Sequence, residues 1–567
     1  MVSYIFIGTA ILLLLVVLYR FNKRNALKKR RASLESSWGK SKNKNHNFNH
    51  IGLLYELIPP DFSAINHIDE ETRNDLDFSS LFNTVDHTVS KVGQQYLYAQ
   101  LLSPTGSAEL IKERGEQIEW VAQNEEKRLE LQLAFSHLDN WEVYQLPLIF
   151  ANKLPFNIKS YYFSKILKWL AIFFTIGAFF DLRFIFGIAI LFFVNMIFHY
   201  LNKKNINQYL QAFIQIGNLV ATAEKINSIQ TPLVYHNDLS KKLNSVKNLR
   251  NSLGLINTFA LGKGNDESSA LIWIFLEYLK IMFLLEVNAY YNSIKSIDSK
   301  KEDLYSIFCH IGKVDSTIAI ASFKASLPYS CIPIMTNMND AANIEIKDAF
   351  HPLIIDCVPN SLHIPTGQGT LISGSNMSGK TSFLRTIGVN LLFGQALSLC
   401  LAKECRIPPI RLFSSIRISD NIEEGKSYYI QEVERIYFFL EEAKNDHYNF
   451  FLLDELFKGT NTLERVAAAS AVLSHLNQGK NYVMVATHDL ELTQLLKNSF
   501  DPYFFSEKVQ NNDAIHFDYK IKKGVLPEGN AIKLLKFFQF PETLVEEALH
   551  QKQKLFTNQT LLNSPRG

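Results

Sequence analysis

At 567 residues the chain is too long for one compact core and points to two to four domains. Hydrophobic residues make up 47% and charged residues 20%, which excludes both a disordered chain and a polytopic membrane protein throughout. The net charge of +3 is unevenly spread: residues 20–49 hold ten Lys/Arg against a single acid, Glu35, so this stretch carries +9 and the remainder −6. Composition therefore does not predict a globally basic nucleic-acid binder.

In chain order, the first element is apolar. Met1 to Tyr19 is uncharged, and Arg20, Lys23, Arg24 and the run Lys28-Lys29-Arg30-Arg31 follow it. A secretory signal would carry its charge before the apolar run and a small-residue cleavage site after it. The length is near the ~17–25 residues that span a bilayer. Basic residues on the C-terminal flank orient such an anchor with its N-terminus outward and the chain entering the cytoplasm. The basic stretch 20–49 reads either as a flank attracted to anionic lipid or as a non-specific DNA contact, the latter without interleaved aromatics.

A second apolar region, Tyr161 to Tyr200, is broken only by Asp181-Leu182-Arg183. Its limbs, Ile166–Phe180 and Phe184–Leu201, are flanked by Lys165 and Lys168 on one side and by Lys203-Lys204 on the other. That pattern predicts a membrane hairpin with both ends in the cytoplasm. A pair of buried helices in a soluble core, or a partly inserted hairpin, fits the same run. Ile206, Leu210, Phe213, Gly217 and Val220 then keep helical spacing, as a long lever or an ordinary bundle helix would. Leu271–Tyr291 contains Glu277, Lys280 and Glu286. Each charge at mid-membrane costs about 2.5–3.5 kcal/mol, so this stretch reads as a buried helix of the soluble part.

Residues 370–381 run Thr-Leu-Ile-Ser-Gly374-Ser375-Asn376-Met377-Ser378-Gly379-Lys380-Thr381, followed by Ser382 and a helical pattern. This is G-x-x-x-x-G-K-[ST] between a short apolar strand and a helix. Glycines let backbone N–H groups wrap phosphates, Lys380 reaches the β/γ oxygens, and Thr381 offers a hydroxyl to Mg²⁺. Two further strands end in reactive groups. Phe450-Phe451-Leu452-Leu453 leads into Asp454, suited to the magnesium shell, and Glu455, suited to polarising an attacking water. Tyr482 to Thr487 leads into His488-Asp489, where the histidine is placed to sense a γ-phosphate at a strand's carboxyl end. The five cysteines (309, 331, 357, 400 and 405) contain no C-x-x-C pair, which argues against a disulfide framework or a zinc site.

From His351 to Leu496 the chain resembles the ATPase domain of the MutS family of mismatch-repair proteins, within the ABC-type ATPase superfamily. The resemblance rests on His351-Pro352-Leu353, the loop Gly374 to Thr381 with its internal Asn-Met, Asp420-Asn421 through Gly425-Lys426-Ser427, Leu453 to Leu456, Gly459 to Thr462 and Ala486 to Leu492. Weaker likeness extends to Val85-Asp86-His87-Thr88, Gly93, Leu101, Pro104 and Arg114, and to Tyr519–Gly524 and Phe540-Pro541. The family usually has proline at Ser375, glycine at Ser378 and an aromatic residue at Asp489.

The resemblance implies ATP and Mg²⁺ as cofactors and a homodimer with composite sites. Lys380, Glu455 and His488 would serve catalysis, and Thr381 and Asp454 would ligate the metal. Gly374 through Ser382 would cradle the phosphates, and Ser427 would contact the partner subunit's γ-phosphate. DNA binding linked to mismatch or recombination repair is the implied role. We find no candidate for the family's mismatch-reading wedge domain in residues 50–85, and none of its nuclease domains is expected after Gly567. The alternative is a membrane mechanochemical or scaffolding ATPase that does not bind DNA. An L-S-G-G-Q signature is absent, which argues against a transporter.

The expected fold class is an α/β P-loop ATPase domain of the ABC type plus an all-α helical core domain, with an N-terminal transmembrane helix and a transmembrane hairpin. The expected layout is an anchor at 1–19, a basic tether at 20–49, helical core at 50–160 and 203–330 around a hairpin at 161–202, an ATPase domain at 331–548, and a tail at 549–567. The expected location is the cell (inner) membrane, with the ATPase domain facing the cytoplasm.

Overall fold

The structure is a computed structural model that describes residues 2–42, 46–152, 156–260, 277–336, 342–375, 378–417, 428–458, 460–510, 514–526, 532, 535 and 540–551. The chain is mostly helical with mixed α/β sheets, and divides into two units that do not follow chain order. One unit collects Met1–Asp61, Asn83–Gln100 and Glu116–Ser326; the other collects Phe62–Phe82, Leu101–Gly115 and Leu327–Gly567. Two segments that the sequence layout assigned to the helical core thus sit with the sheets, for a reason visible in their hydrogen bonds. Asp75 accepts from Ser414 Oγ (2.6 Å), Ile416 N (2.8 Å) and Arg417 N (2.7 Å), while Asp69 accepts from Arg435 (2.9 Å). Local hydropathy carries no trace of such long-range carboxylate anchoring.

The helical unit starts with a single helix, Val2–Ser36, that joins the expected anchor to its basic flank without a break. That flank engages the chain's own acids and aromatics. Arg30 meets Asp139 (3.5 Å), Lys42 meets the fully buried Asp86 (3.2 Å), and Trp38 stacks under the Arg128 guanidinium. Further on, Ile158–Gly177 begins at Asn157, whose side chain accepts from Lys159 N and Ser160 N, the usual remedy for orphan N–H groups. After a reversal at residues 178–183 comes the 44-residue helix Phe184–Asn227. The two helices approach closely because Gly187 has no side chain: a Cβ there would lie 2.4 Å from Phe174 Cε1. Large apolar groups point outward along this hairpin, with Phe179 and Phe180 both 86% exposed, Phe186 77% and Ile190 68%. Among the described residues one helical stretch, Phe184–Lys203, is long and apolar enough to cross a membrane. In the same long helix Phe213, Gly217 and Val220 pack inward, the first and last fully or nearly so, whereas the side chains of Ile206 and Leu210 lie outside the described residues.

The inner face of the hairpin mixes apolar Leu167, Ala171 and Leu191 with polar groups. Asn195 donates to Met282 O (2.6 Å), Tyr291 OH to Asn202 Oδ1 (3.0 Å), and buried Lys280 lies 3.3 Å from both Glu277 and Glu286. The charges within the Leu271–Tyr291 stretch thus pair among themselves. Its chain bends at Leu284, in the left-handed region (φ +47°), before Leu285–Asp298; residues 271–276 lie outside the description.

In the other unit a six-stranded sheet runs in the order Lys522–Lys523, Phe500–Phe504, Gly369–Ser373, Tyr482–Thr487, Asn449–Asp454, Arg411–Ser415. The last five are mutually parallel, and the short first strand is antiparallel. Buried on both faces, the inner strands Asn449–Asp454 and Tyr482–Thr487 are largely apolar runs, as parallel sheets require. The helix Lys380–Leu397 packs onto this sheet through Gly388, where a Cβ would meet Leu452 and Leu76 within 3 Å. On the opposite side Phe439, Phe451, Leu473 and Val483 form an apolar cluster with Phe413 and Leu453. A second, four-stranded sheet comprises Ile334–Met335, Glu404–Ile407, Ile344–Ala349 and Asn360–Ile364.

Candidate functional site

Strand register brings the reactive residues together. Ser373 pairs with Thr487, and Ala486 with Asp454, so three neighbouring strands end side by side and release their loops in one direction. This is the edge at which open parallel sheets bind ligands.

From Ser373 the chain enters the glycine-bounded loop. A side chain on Gly374 would run into Ser378 Oγ (2.8 Å) and Phe505 O (2.9 Å), and Gly379 has φ +104°, a conformation in which L side chains are strained. Gly379 ends the loop at the start of Lys380–Leu397. Lys380, almost wholly buried, curls back over the loop and donates to Gly374 O (2.7 Å) and Ser375 O (3.0 Å). Ser378 Oγ is buried with no hydrogen-bond partner. Thr381 Oγ1 donates to Asp454 Oδ2 at 2.6 Å, so the two residues predicted to hold a metal are in direct contact. Ser382 opens the helix beside them. Asn376, Met377, Gly459 and Ser427, with the rest of 418–427, lie outside the described residues.

Glu455 follows Asp454 in the left-handed region (φ +58°), held by its N–H donating to Ala486 O (2.9 Å). Its carboxylate meets His488 Nε2 at 2.6 Å and Lys458 Nζ at 3.6 Å. The hydrogen bond with His488, followed by the positive charges around it, holds the Glu455 carboxyl down at about 2 despite partial burial. At neutral pH it is a carboxylate, too weak a base to retain a proton and able to orient a polar O–H.

These groups line a cleft of about 780 Å³ together with the apolar side chains of Ile354, Ile355, Val358, Phe505 and Tyr519, the last two lying against Gly374 and Gly379. A cleft lined by both charged and apolar groups suits a ligand that carries anionic and apolar parts. The turn leading to Ile354 and Ile355 is set by His351. It is buried and pushed down to about 4 by burial and then by nearby Arg385, and its Nδ1 accepts from Leu353 N (3.3 Å). As a neutral imidazole it braces the turn.

The structure also explains Asp489 and adds residues that sequence reasoning missed. Asp489 receives a two-pronged contact from Arg465 (Nε–Oδ2 2.9 Å, Nη2–Oδ1 2.6 Å), and its own N–H donates to Thr487 Oγ1 (3.0 Å). The pair fastens the residue after His488 to the helix Thr462–Leu476, so an acid here does the work of fixing that loop. Glu432, on the helix Tyr428–Glu442, accepts from Phe457 N across 25 residues. No spacing rule reaches that far. Glu432 is one of several charged residues on this helix, so nothing in the sequence singled it out.

Comparison with known proteins agrees with this geometry. Residues 370–556 match the family model MutS domain V. MutS protein homolog 4 of Mus musculus is 29% identical over 264 residues, covering 43% of this chain and 27% of the relative. The DNA mismatch repair protein MutS of Thermotoga maritima is 26% identical over 288 residues (49% and 35%), and that of Thermus aquaticus 35% over 156 residues (27% and 19%). The matched part spans about a third or less of each relative's own length. Over residues 370–556 this chain therefore matches domain V of the MutS family, with its strand-end residues in the matched part.

Proposed function

We propose that the chain is a MutS-type ATPase that binds ATP with Mg²⁺ in the described cleft, hydrolyses it as a homodimer with composite sites, and is tied to a membrane. Its proposed role, in keeping with relatives named for DNA mismatch repair, is to hold DNA in mismatch or recombination repair. One observation carries the nucleotide reading: Lys380, the Thr381–Asp454 contact and the Glu455–His488 contact converge at three adjacent strand ends.

The residues present fit the ligands. The unpartnered Ser378 Oγ and the loop carbonyls now gripped by Lys380 mark a cradle for phosphate oxygens, which would take the ammonium in their place. Thr381 and Asp454 offer the hard oxygen donors that Mg²⁺ selects, and would hold it; when bound, the ion neutralises charge on the β- and γ-phosphate oxygens. Glu455, kept ionised by His488, orients the attacking water, and the water's proton goes to an oxygen of the transferred phosphate rather than to a carboxylate held at about 2. The imidazole of His488 fixes that carboxylate and faces the cleft. Ser427 is proposed to reach the partner subunit's γ-phosphate.

Membrane attachment is supported by the outward Phe179, Phe180, Phe186 and Ile190 along a helical hairpin. With Met1–Tyr19 leading into basic residues, this favours the inner membrane, with the cleft on the cytoplasmic side. The same exposed hairpin favours a second reading, a membrane mechanochemical ATPase without DNA. Part of the basic flank already meets the chain's own Asp86 and Asp139. Binding to homoduplex, mismatched and branched DNA across a salt series, with and without ATP, decides between them. DNA contact gives a log–log slope of about −0.9 per neutralised phosphate. No binding even at low salt selects the second reading, and failure to retain Mg-ATP overturns both.

A further inference from the structure

The turn that carries Glu455 is strained twice over. Glu455 and Phe457 both adopt left-handed backbone (φ +58° and +59°), a conformation unusual for a non-glycine residue and costly for one as bulky as phenylalanine. Such turns persist where the surroundings over-determine them. Two anchors do so. The first is the Glu455 N–H bond to Ala486 O in the neighbouring strand. The second is Glu432, only 2% exposed, whose Oε1 accepts the Phe457 N–H, while its Oε2 is buried without a partner. Burial pushes the Glu432 carboxyl up, offset only in part by the backbone N–H groups of Phe457 and Lys458 and by the Lys458 charge, so burying it is unfavourable by itself. It makes sense where the bond to Phe457 fixes a geometry the fold cannot otherwise hold.

We propose that Glu432 is a positioning residue for hydrolysis: by gripping the Phe457 N–H it holds the left-handed turn that aims the Glu455 carboxylate at His488 and at the attacking water. The proposal rests on the ATPase reading. Without the grip Phe457 relaxes toward ordinary backbone, and Glu455, two residues upstream, swings off His488. The bonds of Lys380 to Gly374 O and Ser375 O do not run through Glu432, so nucleotide affinity is expected to be spared.

The test measures kcat, KM and the Kd of a fluorescent ATP analogue for the full-length protein carrying Glu432→Ala, Glu432→Asp or Glu432→Gln. Ala and Asp, which cannot reach Phe457, are expected to lower kcat at least about 10-fold with KM and Kd within about 2-fold, the signature of a group felt mainly in the transition state. Gln keeps an acceptor oxygen at the same reach and is expected to recover to within about 3-fold of the parent. In a Glu455→Gln background, Glu432→Asp is expected to add no further loss, since it acts through Glu455. Unchanged kcat in Asp, loss that appears equally in Kd, or full additivity with Glu455→Gln would overturn the proposal. If Ala fails to fold by circular dichroism, the Asp variant decides alone. Absence of turnover in the parent protein is a different outcome, which defeats the ATPase reading itself.

Discussion

Two apolar stretches of this chain are alike in composition and opposite in address. In Tyr482–Thr487 every side chain is buried, and the strand's polar end delivers His488 to the cleft. Along Phe184–Lys203 the large apolar groups face outward, while Asn195, His199 and Asn202 face inward against Met282, Glu286 and Tyr291. The strand is a water-soluble interior. On the helix Asn195 and Asn202 are hydrogen-bonded inward beside buried Leu191, while large apolar side chains face the surroundings. Hydrophobicity alone says that a segment leaves water; what it enters depends on its neighbours.

Placing one lysine in each stretch breaks the comparison most directly. Val485→Lys buries an unpaired charge in the sheet and is expected to cost more than about 4 kcal/mol, unfolding the unit by thermal melt and abolishing nucleotide retention. Ile190→Lys on an exposed position would cost under about 0.5 kcal/mol in water, but about 2.5–3.5 kcal/mol in a bilayer. It is expected to leave the soluble fold intact and, combined with removal of residues 1–19, to release the protein from membranes at alkaline carbonate. Release of the parent itself under those conditions would sink the membrane reading.

Within the cleft, Lys380→Ala is expected to lower ATP turnover by about 10³-fold and Glu455→Gln by about 10²-fold in kcat, the latter with Mg-ATP binding kept. Retained turnover in Glu455→Gln removes that residue from water orientation. A smaller effect tests the loop behind His488: a double-mutant cycle of Arg465→Gln and Asp489→Asn is expected to return a coupling of about 1 kcal/mol in stability, and additivity would reduce the contact to a surface pair.

The smallest effect is a pH dependence. The Glu455 carboxyl sits near 2 in the folded chain against an ordinary 4.5. A depressed carboxyl stabilises above its unfolded value, and that contribution fades as pH falls through the folded one. The stability difference between parent and Glu455→Gln is therefore expected to shrink between about pH 4.5 and pH 2, followed by urea titration. A difference constant across that window would show that the His488 hydrogen bond does not hold the carboxyl down.

Much of the cleft was legible because its chemistry is local. The strand, glycine loop and helix around Lys380, and the apolar runs ending at Asp454 and Thr487, each occupy a dozen residues or fewer, and their periodicities survive any packing. The Thr381–Asp454 contact was not local: it forms because the helix start after Gly369–Ser373 reaches the end of Asn449–Asp454, one strand removed in the sheet. Asp489 and Glu432 were not legible, because their partners lie 24 and 25 residues away on other elements. The helical anchors of the sheet unit hid for the same reason: Asp69 and Asp75 serve Arg435 and the 414–417 backbone more than 300 residues downstream.

What the amino-acid order determined alone is the set of short-range commitments: apolar run length, glycine where backbone must crowd, carboxylates and histidine at strand ends, and a hairpin marked by three polar residues. Only the tertiary structure decided which apolar surface faces inward, that segments 62–82 and 101–115 join the sheet unit, and that a buried glutamate and an arginine–aspartate pair brace the Glu455–His488 contact. The physical reason is one of range. Backbone propensity and side-chain periodicity act over a few residues, whereas a buried carboxylate is satisfied by whichever N–H the fold brings to it.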